Sequence, residues 1–170
     1  MDAGTINYKI YENGSEYLGT AKVTMPDMNS KTFTVNGAGI AGDIELPVVG
    51  HRDAMKVTIE FVDSPAGAYK LAEDRRHLLD LRAAKEEYDD VRGKIVVKPQ
   101  KYILETVPLN HTGGELAPAA SQNAKVEMSV LSYKHIVDGK LMRHFDPAHW
   151  IDKGPDGVNR LEEVARALGK

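Results

Sequence analysis

The dipeptide Asp138-Gly139 fixes more of this chain than any other feature. It divides the stretch Ala124 to Asp146, AKVEMSVLSYKHIVDGKLMRHFD, into two runs rich in β-branched, aromatic and long apolar residues. Asp-Gly supplies the positive φ angles that a two-residue type I′ turn requires, so the stretch is predicted to be a β-hairpin. Counting back from the turn pairs Val137 with Lys140, His135 with Met142 and Tyr133 with His144 on one face. Ile136 with Leu141, Lys134 with Arg143 and Ser132 with Phe145 then share the other. Neither face is cleanly apolar, which predicts that both meet other protein along part of their length.

Composition narrows the classes open to such a chain. With 170 residues, 42% hydrophobic and 28% charged, one ordinary domain spanning 1–170 is expected, with room for a substantial core. No cysteine is present, which removes disulfides, thiolate nucleophiles and Cys-ligated metals, and suits assembly in a reducing cytoplasm. The opening Met1-Asp2-Ala3-Gly4 has neither a basic region nor an apolar run, and no window reaches a membrane span. The expectation is a chain neither exported by a signal peptide nor inserted in a membrane. A net charge of −3 argues against general phosphate-backbone binding, and 6% aromatic residues against a base-stacking platform.

An opening hairpin is predicted from Asn7–Glu12 and Tyr17–Met25 about Asn13-Gly14. Lys31 to Asn36 and Asp43 to Val49 then alternate with period two. Thr32, Thr34 and Asn36 fall with Asp43 and Glu45 on a polar face, while Phe33, Val35, Ile44 and Leu46 fall on an apolar one. These runs can pair as a ribbon.

The residues between them, Gly37-Ala38-Gly39-Ile40-Ala41-Gly42, match the GxGxxG dinucleotide fingerprint, and Asp63 stands where a ribose-binding acid is expected. The match fails its context. The fingerprint must open a helix, whose N-terminus carries the pyrophosphate. The next residues are instead Asp43-Ile44-Glu45-Leu46-Pro47-Val48-Val49, alternating, β-branched and interrupted by proline. A nucleotide-binding β-domain is therefore the weaker reading, and no cofactor is expected.

Val57, Ile59 and Phe61 of the run Lys56–Val62 face one way as a strand. Ser64-Pro65 supplies an N-cap and a first-turn proline, which predicts a helix from Ala66 to Ala84 with Tyr69, Ala72, Arg76, Leu79 and Ala83 on one stripe and a Glu73/His77 pair at i,i+4. Val91–Lys98 and Lys101–Leu109 are predicted as a second ribbon about Pro99-Gln100, with Arg92 and Lys94 on its polar side. A loop is expected at Asn110–Asn123. After the long hairpin, Val158 to Leu168 has helical spacing, with Gly169 as the residue that ends the helix.

No catalytic constellation stands out. His144 and His149 lack a partner set for a metal, and neither HExxH nor a P-loop nor G-x-S-x-G is present. His51-Arg52-Asp53 shares three letters with a kinase catalytic loop without the Leu and Asn that complete it. Asp89-Asp90 has no opposing carboxylate. The chain is expected to be a non-enzyme, without metal.

The run Ser132-Tyr133-Lys134-His135-Ile136-Val137-Asp138-Gly139-Lys140, with Phe145-Asp146 beyond it, resembles the C-terminal hairpin of the major tail tube proteins of contractile-tailed phages and R-type bacteriocins. The order of elements is similar over nearly the whole chain: opening hairpin ending at Met25-Pro26, polar ribbon about a Gly-rich tract, helix, second ribbon, long Asp-Gly hairpin, and C-terminal helix. The chain departs from the pattern at Leu78 to Asp90, longer and more charged than usual, and at the His149-Trp150 insertion.

The resemblance implies a mainly β fold with two helices, a β-sandwich or barrel protomer with two inner β-hairpins. It implies hexameric rings stacked head-to-tail into a tube inside a contractile sheath, in a virion tail or bacteriocin particle. Baseplate, tail terminator and tape measure proteins are the further partners, and DNA passes without specific binding if the particle is a phage. A ring-forming secretion-system tube protein is the alternative. Ribbons set side by side close a barrel, remove free edges and turn polar faces to a water-filled bore. With ~24 strands spaced ~4.8 Å and tilted ~40°, the backbone diameter is roughly 45–50 Å. The expected bore lining is Thr32, Thr34, Asn36, Asp43 and Glu45 from the first ribbon and Arg92, Lys94 and Glu105 from the second.

Overall fold

A computed structural model describes residues 2–16, 20–62 and 65–170. In chain order the elements are β1 (Asp2–Glu12), β2 (Ser15–Glu16), β3 (Thr20–Thr24), β4 (Ser30–Val35), β5 (Ile44–Arg52), β6 (Met55–Phe61), α1 (Pro65–Leu71), β7 (His77–Asp89), β8 (Lys94–Thr112), β9 (Ala124–Val137), β10 (Lys140–Asp146), a 3-10 turn (Pro147–His149), β11 (Ile151–Lys153) and α2 (Glu162–Ala167). The fold is mainly β with two helices. A large antiparallel sheet runs β11-β10-β9-β8-β7-β1-β2, with β6 pairing both β3 and β9, and β4-β5 form a separate two-stranded sheet.

The core lies on one face of the large sheet. β6 alternates strictly, placing Met55, Val57, Ile59 and Phe61 against Val126, Met128 and Val130 of β9, Leu104 of β8, Leu79 and Leu81 of β7 and Ile10 of β1. Ala68 and Leu71 of α1 close one side. Each fully buried side chain of this size stabilises by about 1.5–3 kcal/mol, so this row supplies the main driving force.

The Asp138-Gly139 turn forms as the dipeptide predicts, with φ of 49° and 77°, and Val137 pairs with Lys140 and Ile136 with Leu141. Beyond Leu141 the register differs from the sequence count. A bulge at Met142 pairs Arg143 with His135, His144 with Lys134 and Phe145 with Tyr133. The extra residue turns Phe145 from the Ser132 face to the core face, where it is buried at 2% exposure.

The predicted helix from Ala66 to Ala84 stops at Leu71. His77, Leu79 and Leu81 are buried with period two and Leu78 is exposed, because β7 is clamped between β1 and β8 along a continuous ladder. Those long-range bonds outweigh the helix propensity of Leu, Ala, Glu and Lys, which are strong helix formers but gain only about a few tenths of a kcal/mol each. The Glu73/His77 pair is also made differently: the His77 ring contacts the Glu73 backbone oxygen, and the Glu73 carboxylate accepts from Arg75. Ser64, predicted as the cap, and Asp63 lie outside the described residues.

The second ribbon is rearranged. β8 is one strand of 19 residues that passes straight through Pro99, and its hairpin partner is β7. The turn lies at 90–93, where Asp89 Oδ1 accepts from the Val91 and Arg92 amides and Gly93 takes a φ of 61°. Pro99 is tolerated because its carbonyl, accepting from the Asp138 amide, faces the β9 side, and the β8-β9 ladder starts only at Gln100. The missing N–H therefore removes no ladder bond. In the opening hairpin, Asn13 and Gly14 form the turn, but β2 is two residues long, β3 pairs with β6, and Tyr17, Leu18 and Gly19 lie outside the described residues.

The final helix is shorter than its periodicity predicts, since Asn159 draws the preceding residues into a turn by accepting from the Asp152 and Leu161 amides and donating to the Trp150 carbonyl. Its end is as expected. Gly169 has φ of 76°, its amide bonds Arg166 O and that of Lys170 bonds Ala165 O, the paired bonds of a Schellman motif.

Candidate assembly surface

The first ribbon, β4-β5, places Phe33 opposite Leu46, Val35 opposite Ile44 and Thr34 opposite Glu45. Directly opposed residues share a face, so Phe33, Val35, Ile44 and Leu46 form one side and Thr32, Thr34 and Glu45 the other. Asn36 and Asp43 flank the strand ends. Thr32 Oγ1 donates to Glu45 Oε1 at 2.5 Å. The apolar side is not covered by its own chain: Phe33, Ile44 and Leu46 are all exposed. The Gly-rich tract between the strands is a loop with a turn closed by Ile40 N and Gly37 O, and the residues after it enter a strand. It therefore lacks the helix N-terminus a pyrophosphate needs.

The second ribbon, β7-β8, reverses its polarity along its length. Near the core, His77, Leu79 and Leu81 are buried, and further out the same face carries Lys85, Glu87 and Asp89 paired with Lys98, Val96 and Lys94. The opposite face carries Leu78, Asp80 and Arg82 near the body, and Ala84, Glu86 and Tyr88 beside Pro99, Val97 and Ile95 at the tip. Val97 and Ile95 are 58% and 64% exposed, so the tip is apolar on the side away from the core face. Beyond the β9-β10 turn, residues Lys94 to Val97 of β8 are in a ladder with β7 alone among the described strands.

Of the second-ribbon residues expected in the bore lining, Arg92 lies in the turn near Asp89, Lys94 opposes Asp89, and Glu105 sits far along the same strand. Lys94 and Glu105 are an odd number of residues apart within an unbroken β7-β8 register and point to opposite faces. Glu105 is held by an ion pair with Arg76.

Two polar clusters lie where the core ends. Tyr102 and His135 stack at 4.1 Å with planes 6° apart, and burial, then the charge of Lys85, pulls the His135 pKa below its ordinary value. Burial pushes the neighbouring Tyr133 phenol up to about 12. At the base of the first ribbon, Asp152 faces both Arg143 at 2.8 Å and Arg52 at 3.6 Å, and Arg52 lies over the Phe145 ring. This cluster ties β5 to β10 and β11. Single-sequence patterning could not find it, because its members are distant in sequence and become neighbours only through the Met142 bulge and the β10-β11 pairing.

Among the described residues no group of three His, Asp or Glu side chains gathers as a metal site. His149 Nδ1 is instead 2.7 Å from Asp146 Oδ2, within the cap of the 3-10 turn.

An exposed two-sided ribbon, an apolar-tipped second ribbon and a strand edge are features of a subunit that finishes its surface by assembly. Comparison with known proteins agrees. The model of the phage tail tube protein FII family matches residues 5–169. The chain belongs to the phage tail tube family. Among solved structures, this tail tube protein is similar to a sheath/tube terminator of the PVC extracellular contractile injection system in its extended state. That likeness has a TM-score of 0.53 at 8% identity and covers 78% of this chain and 93% of the terminator. At that identity it shows a common fold. No curated protein sequence matches the chain. As a member of this family, the tail tube protein is a structural component of a virion or related particle, and no helix among its described residues is long and apolar enough to cross a membrane.

Proposed function

We propose that this chain, as one tail-tube domain, is the protomer of an inner tail tube. Six copies close a ring, rings stack head-to-tail into a hollow cylinder inside a contractile sheath, and the cylinder conducts DNA or punctures a target envelope. The observation that carries this reading is the β4-β5 ribbon, which leaves both faces open to solvent in the single subunit. Such a ribbon is marginal by itself and gains most when neighbouring copies cover its apolar face and take up its edges. Thr32, Thr34, Asn36, Asp43 and Glu45 then line the bore, where hydroxyl and acidic groups let a polyanion pass without holding it. Lys94 and Arg92 lie beside the acids of a neighbouring copy. Glu105 faces the opposite way with Arg76 and stays outside that wall.

The sheath, a tail terminator, a baseplate and a tape measure protein are the partners such a tube requires. Likeness to a terminator of an extracellular injection system favours, as the second reading, a ring-forming tube of a particle without DNA. Size-exclusion chromatography with negative-stain microscopy tests assembly: rings or tubes are expected, and a strict monomer at high concentration overturns the proposal. Nuclease-protected DNA in isolated particles separates the two readings.

A further inference from the structure

The chain holds two Asn-Gly pairs, Asn13-Gly14 and Asn36-Gly37. In this dipeptide the asparagine side-chain amide is unusually open to attack from the following backbone nitrogen, because glycine puts no Cβ beside that nitrogen. Both pairs are exposed, and the fold treats them differently. Asn13 and Gly14 are the two residues of a hairpin turn, with φ of 50° and 79° and Glu12 paired with Ser15 directly behind them. Attack requires the asparagine to turn about its Cα–C bond, which undoes a turn of that kind.

Asn36-Gly37 has no such clamp. The β4-β5 ladder ends at Val35 and Ile44, one residue before Asn36. Among the described residues neither the Asn36 carboxamide nor the Gly37 amide takes a hydrogen bond, and the loop's own turn begins at the Gly37 carbonyl, beyond the bond that must rotate. We infer that Asn36 is a site of spontaneous modification, converting to aspartate and isoaspartate while Asn13 is protected. The Gly37 nitrogen attacks Asn36 Cγ and gives up its proton, the new C–N bond closes a five-membered succinimide, and the carboxamide nitrogen leaves as ammonia carrying that proton. Water then opens the ring at either carbonyl, giving aspartate or isoaspartate. The net change is one water consumed, one ammonia released and one negative charge gained. In isoaspartate the chain also runs through Cγ, one carbon longer, at a place outside the ladder, so the pairs of the ribbon are kept. The inference goes beyond the tube reading and stands without it; in the proposed ring, each event would add a negative charge at the ribbon end that carries Asp43.

The full chain, held in neutral buffer at physiological temperature and sampled over time, tests it. Trypsin isolates each pair in a peptide with no other Asn or Gln, residues 10–22 and 32–52, so an amide-to-acid mass gain in either is assigned to one residue. Asn36 is expected to convert at least about tenfold faster than Asn13, since closure at Asn13 must first open a paired turn. In urea, where neither turn nor loop persists, the two rates should converge, because the local chemistry is then the same. An isoaspartate-specific methyltransferase should label peptide 32–52 of aged protein, and Asn36→Gln, which would need a six-membered ring, should abolish both signals. Equal rates in the folded chain, faster conversion at Asn13, or an Asn36 that stays intact while the unfolded chain reacts would each overturn the inference. None of these outcomes bears on the tube reading, which oligomeric state tests.

Discussion

Nδ1 of His77 lies 2.8 Å from Oε1 of Glu12, and neither side chain reaches solvent. The pair joins the last residue of β1 to the first of β7. Arg75 Nη1 donates to the same oxygen at 2.6 Å, and the other ring nitrogen of His77 lies 3.0 Å from the Glu73 carbonyl. One carboxylate thus fixes the turn between α1 and β7 and starts the register of the β1-β7 ladder. Removing the carboxylate takes a hydrogen-bond partner from the buried His77 ring and from Arg75, and hydrogen bonds to a charged group are worth about 1.5–3 kcal/mol. Glu12→Ala is expected to lower subunit stability by about that amount in denaturant titration. The exposed pair Arg166–Glu162 on α2 is the control, where Glu162→Ala should change stability by less than about 1 kcal/mol.

Gly50 and Leu161 make a second prediction. Gly50 has φ of 72°, and a Cβ built on it would stand 2.0 Å from Leu161 Cδ2. Leu161 is 2% exposed, so its side chain has little space into which to move. Gly50→Ala therefore combines a left-handed backbone with overpacking, and a loss of about 1–3 kcal/mol is expected. In a double-mutant cycle, Leu161→Ala should relieve the steric part and leave the backbone part. Simple additivity of the two losses would show that β5 and the C-terminal segment do not press on one another there.

How far the sequence could be read depends on the range of the forces involved. The Asp138-Gly139 turn, the Gly169 helix end, the strict alternation of β6 and the two-faced β4-β5 ribbon are local, and the residues that cause them are adjacent. The strand at His77–Asp89 was hidden because Leu78, Leu81 and Ala84 also fit a helical period; only pairing with β1 and β8 decides in favour of a strand. Pro99 reads as a break because its lack of an N–H is tolerated only on the side where β9 has already turned away. For the assembly surface, the polar face of the first ribbon was legible. The apolar tip of the second was not, since it depends on the β7-β8 register.

His135 makes stability depend on pH. Burial and Lys85 hold its folded pKa below the ordinary 6.5. The folded state thus keeps the ring neutral where the unfolded chain already binds a proton. Stability rises with pH in that window, being fully present above about 6.5 and lost as pH falls through the folded pKa. His144, shifted the same way by burial and then Lys134, adds to the effect. Melting curves between pH 7.5 and pH 5 should therefore show a falling Tm, and His135→Phe, which preserves the stack on Tyr102, should make the fall shallower. An unchanged slope in that variant would remove His135 as the source.

The last prediction concerns Asp43 and Glu45. Both lie on the exposed first ribbon; Glu45 accepts from Thr32, and among the described residues its strand shares a sheet with β4 alone. Charges in such a setting contribute little to the stability of a single subunit, within about 0.5 kcal/mol for substitutions away from the core. Asp43→Lys with Glu45→Lys should thus leave the subunit's thermal melt nearly unchanged. In the proposed ring the same positions would recur in every copy on one wall. Reversing them would turn an acidic band into a basic one, which would attract phosphate and repel Lys94 and Arg92 where the proposal sets them beside it. Assembly is expected to weaken, and tubes that do form should retain short duplex DNA in a salt-dependent way, unlike those of the parent. A large drop in melting temperature together with normal, DNA-indifferent tubes would place both side chains in the packing of the subunit and away from any water-filled wall.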